Sequence, residues 1–67
     1  MVSDMYIVEQ YGKFNRGNIG CLPWDPLCQM YTLFFDKPPK TTKMEEIQLA
    51  VVKHIERAKD RQRWGNR

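Results

Sequence analysis

Cys28-Gln-Met-Tyr-Thr-Leu-Phe-Phe-Asp36 is the stretch whose reading decides the fold. It is a short run rich in aromatic and apolar side chains, and that composition reads as a β-strand. Alternation places Tyr31, Leu33 and Phe35 on one face and Met30, Thr32 and Phe34 on the other. Both faces are then mostly apolar, so a strand here needs cover on two sides. Met5-Tyr-Ile-Val-Glu-Gln-Tyr11 has the same character and reads as its partner. Met5, Ile7, Glu9 and Tyr11 share one face, Tyr6, Val8 and Gln10 the other. Gly12 marks a bulge before Lys13 and Phe14 continue the strand.

Downstream, Thr42 to Trp64 reads as one long helix. Thr42 and Glu45 have the spacing of a capping box, and Pro38 and Pro39 prevent an earlier start. Glu45 and Glu46 lie in the first turn, Arg61 and Arg63 in the last, an order that suits the helix dipole. Gly65 and Asn66 supply the stop. On a helical wheel Met44, Ile47, Val51, Ile55 and Ala58 fall within about 80°. Ala50 and Val52 widen that stripe, and Leu49 lies off it. From Glu56 to Arg63 the helix is almost wholly charged, with Lys53–Glu56, Glu56–Lys59, Arg57–Asp60 and Asp60–Arg63 spaced to pair on its surface.

Between the strands, Asn15 to Leu27 holds two glycines and two prolines and reads as a long loop displaying Trp24. The expected architecture is therefore α+β: an antiparallel two-stranded sheet with a long inter-strand loop, covered by one C-terminal helix (ββα). Ile7, Leu33, Phe35, Ile47, Val51 and Ile55 are its expected core. The surplus apolar surface on the sheet and the helix leaves room for completion by a homodimer or an obligate complex.

Residues 1–67 are short enough to form one small domain. The net charge of +3 permits an acidic protein or a nucleic acid as partner and requires neither. No apolar run approaches the roughly 20 residues of a membrane span. Met1-Val2-Ser3-Asp4 lacks the pattern of a signal peptide. A cytoplasmic location is expected, where Cys21 and Cys28 stay reduced; an oxidising compartment would allow them to pair.

The chemistry-bearing residues are few. Cys21, Cys28 and His54 lack the number and spacing of a structural zinc site, so no metal is expected. A neutral, hydrogen-bonded histidine at the core edge accounts better for His54. No catalytic residues, phosphate loop or cofactor motif emerge, and the expectation is a non-enzymatic, cofactor-free chain. The favoured function is protein binding, as an inhibitor or adaptor that occupies a partner protein. Phages and mobile elements encode many chains of this size with such roles, an analogy from length alone. Its contact residues are expected to be Arg16, Trp24, Asp25, Arg57, Arg61, Arg63 and Trp64, since Trp and Arg dominate interface energetics.

The alternative is nucleic-acid binding. It would use Lys13, Phe14 and Arg16 together with the basic helix end formed by Lys53, Arg57, Lys59, Arg61, Arg63 and Arg67. Tyr11-Gly12-Lys13-Phe14 is similar to one strand of an RNA-recognition motif, without its partner strands.

Overall fold

The computed structural model describes residues 2–64. Its elements are α1 (Asp4–Tyr11), a 3-10 turn (Ile19–Cys21), α2 (Trp24–Phe35) and α3 (Met44–Trp64). No strand occurs among the described residues, so the two-stranded sheet and the α+β class are both overturned. The molecule is all-helical, with α1, α2 and the 3-10 turn each packed on α3.

The first expected strand is α1. Ser3 caps it, its Oγ accepting from the Tyr6 N–H at 3.2 Å. The residues shielded from water are Asp4, Ile7, Val8 and Tyr11, while Met5, Tyr6, Glu9 and Gln10 are exposed. That is the 3.6-residue period of a helix lying on a surface. The β-branched and aromatic content that favoured a strand yields to tertiary packing. Gly12 makes no bulge; it ends α1, donating its N–H to the Val8 carbonyl at 3.0 Å.

The second expected strand is most of α2. The prolines read as turn signals form the helix entrance. The Pro23 carbonyl accepts from the Leu27 N–H at 3.2 Å. Pro26 sits in the first turn, where a missing N–H costs no helical bond. Leu27, Met30 and Phe34, three and four residues apart, are buried together against α3. A helix needs only this one side covered, which removes the two-faced surplus that the strand reading implied.

Asp36 terminates α2 in the left-handed region, at φ 58° and ψ 30°, donating its N–H to the Thr32 carbonyl at 2.8 Å. Aspartate tolerates that conformation better than most L-residues. Asp36→Val is expected to cost about 1–2 kcal/mol. The melting temperature should fall by several degrees, whereas Asp36→Gly should leave it level or raised.

α3 forms where expected, with a shifted start. The Lys43 carbonyl accepts from the N–H groups of Glu46 and Ile47, at 3.2 and 3.4 Å. Thr41, rather than Thr42, anchors the entry. Its Oγ1 accepts from the Lys43 N–H at 3.0 Å and donates to Glu46 Oε2 at 3.1 Å. Ile47, Val51, Val52, Ile55 and Ala58 are buried and Met44 is half-buried. The expected stop at Gly65 and Asn66, and Arg67, lie outside the described residues.

The core joins these α3 residues to Ile7, Ile19, Leu27, Met30 and Phe34. Of the expected core, Ile7, Ile47, Val51 and Ile55 are buried. Leu33 and Phe35 are only half-buried, because the helical turn of α2 gives the interior to Leu27, Met30 and Phe34. α1 and α2 meet through Tyr11 and Phe34, whose rings pack edge to face with centroids 5.3 Å apart. The segment between α1 and the 3-10 turn is fastened by two asparagines. Asn15 Oδ1 accepts from the Gly17 N–H at 2.8 Å, Asn18 Oδ1 from the Asn15 N–H at 2.7 Å. Asn18 also donates to the Lys13 carbonyl at 2.8 Å.

Candidate interaction surface

The outer side of α2 borders an open trough of about 850 Å³. Val2, Cys28, Leu33, Pro38 and Pro39 contribute apolar walls, and Gln29 and Thr32 contribute neutral polar groups. Among the described residues its charged lining is acidic: Asp25 in the first turn of α2 and Asp36 at its end. A second groove of about 380 Å³ is lined by Tyr11, Phe14, Leu22, Pro26, Gln29, Met30 and Leu33. Gln29 and Leu33 line both.

A smaller pocket of about 190 Å³ opens where α2 meets α3. Phe35, Ala50, Lys53, His54 and Arg57 line it. His54 is half-buried and stacked on Phe34, with centroids 4.9 Å apart and planes inclined by 24°. Phe35 packs on it at 5.0 Å and a steeper tilt. Aromatic contact thus takes the place of the hydrogen-bonded core-edge setting expected from sequence.

Beside it Arg61 forms a two-pronged bond with Asp4, Nε to Oδ2 at 2.7 Å and Nη2 to Oδ1 at 2.9 Å. This fork ties the start of α1 to the end of α3. Arg61 holds the Asp4 carboxyl below its usual range. Burial pushes the His54 imidazole below its usual range; the positive charges of Arg61 and Arg57 add to this, and Asp4 opposes it.

Both shifts have the same consequence in acid. The unfolded chain takes up a proton on His54 before the folded one does. The stability His54 contributes is therefore complete above histidine's ordinary pKa of about 6.5 and is lost as pH falls toward the lower folded value. The Asp4 contribution is complete above about 3.9 and is lost as pH falls through its own folded value. Acidification should lower the urea midpoint in two stages, and His54→Gln should abolish the first. A midpoint level from neutral pH to the carboxylate range would contradict this.

The predicted contact residues do not form one patch. Trp24 and Asp25 open α2, with Trp24 40% exposed; Asp25 lines the trough. Arg16 faces Glu56 across 3.6 Å, an exposed pair of little energetic weight. Arg57 lines the His54 pocket, while Arg61 is engaged by Asp4. Arg63 and Trp64 are exposed in the last turn of α3. The ion pairs among the described residues are Arg16–Glu56 and Arg61–Asp4. One ties the segment between α1 and the 3-10 turn to α3 and the other ties α1 to α3, in place of the pairs expected within α3.

Leu49 stays exposed, sharing a shallow groove with Arg16, Ile19 and Val52. Leu33, Cys28 and Asp36 went unmarked as surface residues because a strand reading gives them no common side. Cys21 and Cys28 are free thiols. Among the described residues no cluster of three or more His, Cys, Asp or Glu side chains is placed to hold a metal. Nor is any described helix long and apolar enough to cross a membrane. Comparison with protein-family models, with curated proteins and with solved structures finds no match.

Proposed function

We propose that this chain is a non-enzymatic protein-binding module, acting as an inhibitor or adaptor, that seats a segment of a partner protein in the trough along α2. The observation that carries the reading is the trough's charge pattern. It has apolar walls and acids at both ends of the helix, on a chain whose net charge is +3. Asp25 and Asp36 are eleven residues apart, or about 16 Å along a helix. A partner segment with an apolar middle and Lys or Arg at each end complements that pattern: about five residues if extended, about three turns if helical. Trp24, exposed in the first turn of α2 but not part of the trough wall, offers an aromatic contact to a partner long enough to reach past Asp25. We place the encounter in the cytoplasm, where the Cys28 thiol in the trough wall stays free.

The nucleic-acid reading has less support. Arg61 faces Asp4 and Arg16 faces Glu56. Phe14 is half-buried, with the Lys13 ammonium 5.4 Å from its ring centroid, so a base stacking on that face would have to displace the lysine.

The test is comparative capture from a native extract. Trp24→Ala should lose the captured partner while helicity by circular dichroism stays near wild type, because Trp24 lies outside the core; Leu33→Glu should lose it too, with a lowered urea midpoint because Leu33 packs half-buried against the core. Arg63→Glu should retain it. Loss with Arg63→Glu and retention with Leu33→Glu would move the surface to the end of α3. Capture that vanishes on nuclease treatment would replace a protein partner by a nucleic acid, and a change in mass by light scattering with Leu33→Glu would make the partner a second copy of the chain.

A further inference from the structure

We propose that the pocket between α2 and α3 formed by Phe35, Ala50, Lys53, His54 and Arg57 binds an aromatic oxyanion, above all an aryl phosphate. The inference is independent of the α2 trough. Phe35 and Ala50 give the pocket an apolar wall, and a phenyl ring packs on such a wall as Phe35 already packs on His54. Lys53 and Arg57 are four residues apart, which places their cationic heads on one side of α3, and both line the pocket. Neither forms an ion pair among the described residues, and no carboxylate lines the cavity. Two acids of this flank are engaged elsewhere, Asp4 by Arg61 and Glu56 by Arg16, and Asp60, three residues after Arg57, makes no ion pair with it.

The pocket's volume of about 190 Å³ has room for one ring and its phosphoryl group, not for a run of nucleotides. An arginine next to a lysine offers a phosphomonoester both a planar fork and a point charge.

Electrostatics support the same assignment. The charged groups acting on His54 are Arg57 and Arg61 from α3 and Asp4 from α1, with Lys53 beside it in the pocket. α2 presents the Phe34 and Phe35 rings. The positive charge on this flank opposes protonation of His54, and a bound dianion would reverse that balance. Ligand binding should therefore raise the His54 titration midpoint.

His54 is the sole histidine, so its ring proton resonances identify themselves. Titration of the intact chain with phenyl phosphate near neutral pH should move them together with those of Phe35, and raise the His54 midpoint. Arg57→Gln and Lys53→Gln should each weaken binding about tenfold, the loss of one charge-assisted hydrogen bond. Circular dichroism should be unchanged, since both side chains are exposed. Inorganic phosphate should bind more weakly, for want of a ring. A short peptide carrying phosphotyrosine, titrated in parallel, separates the sources. Tighter binding than phenyl phosphate would assign the ligand to a protein and equal binding to a free small molecule, and both uphold the site. Unmoved His54 resonances, or equal affinity in the Arg57→Gln variant, would overturn the proposal. Inorganic phosphate binding as tightly as phenyl phosphate would overturn its aromatic half.

Discussion

Phe34→Ala is expected to unfold most of the protein at room temperature. Phe34 is 1% exposed and joins all three helices. It lies in α2, packs edge to face on Tyr11 of α1 and stacks on His54 of α3. Truncating a buried phenylalanine costs about 3–5 kcal/mol, a sum of lost transfer energy and the cavity left behind. A single core of this size rarely supplies more than about 3–5 kcal/mol in total. The two magnitudes are equal, so the folded state should lose its majority. Far-UV circular dichroism should show reduced helicity in water, with no cooperative urea transition. Phe34→Leu, which keeps most of the volume, should retain a transition at lower urea. An alanine variant that unfolds cooperatively within about 1 kcal/mol of wild type would show that the Tyr11, Phe34 and His54 rings are not the junction described.

Ile7→Ala is expected to detach α1. Ile7 is the one buried side chain of that helix, and the helix is eight residues long. Isolated helices shorter than about 12 residues do not persist in water, so α1 depends on its docking. Removing a buried isoleucine down to alanine costs about 2–5 kcal/mol. The remaining ties are the edge-to-face contact of Tyr11 on Phe34 and the Asp4–Arg61 fork, which is solvent-exposed and screened by salt; together they are worth less than the lost burial. Amide hydrogen exchange should show α1 protection lost first and most, with Val51 and Ile55 of α3 protected longer. Asp4→Ala should have a visibly smaller effect. If the two variants were equally damaging, the fork and not the isoleucine would be what holds α1.

α3 was legible in the sequence because several independent signals agree over 21 residues: a long apolar period, acids at its start, arginines at its end and prolines before it. The short helices were not, for a specific reason. In a window of eight to twelve residues with apolar side chains at most positions, periods of 2 and 3.6 both find partners. Ile7 sits with Tyr11 on either reading. Met30 and Phe34 also share a face on either reading, and only Leu27, one turn before Met30, distinguishes the helix. Leu27 falls within a segment whose two glycines and two prolines read as a loop. The contrary cues were local: Ser3 placed to cap α1, and Asp25 and Pro26 placed for a first helical turn. The candidate surfaces inherit this error. Phe35, His54 and Arg57 converge only because α2 is a helix crossing α3, and Asp25, Cys28, Leu33 and Asp36 border one trough only for the same reason.

α1, α2 and the 3-10 turn all lay their backbones against α3, the last of the described elements, and the Tyr11–Phe34 ring contact is the tie between α1 and α2. During synthesis, then, α1 and α2 leave the ribosome with only the Tyr11–Phe34 contact between them until Met44–Trp64 follows. The nascent chain up to Lys43 should be open to proteases and chaperones and should acquire its structure once α3 has emerged. A message truncated before α3 would yield no partial fold, and a synthetic peptide spanning residues 41–64, added in trans, is the piece that would restore one.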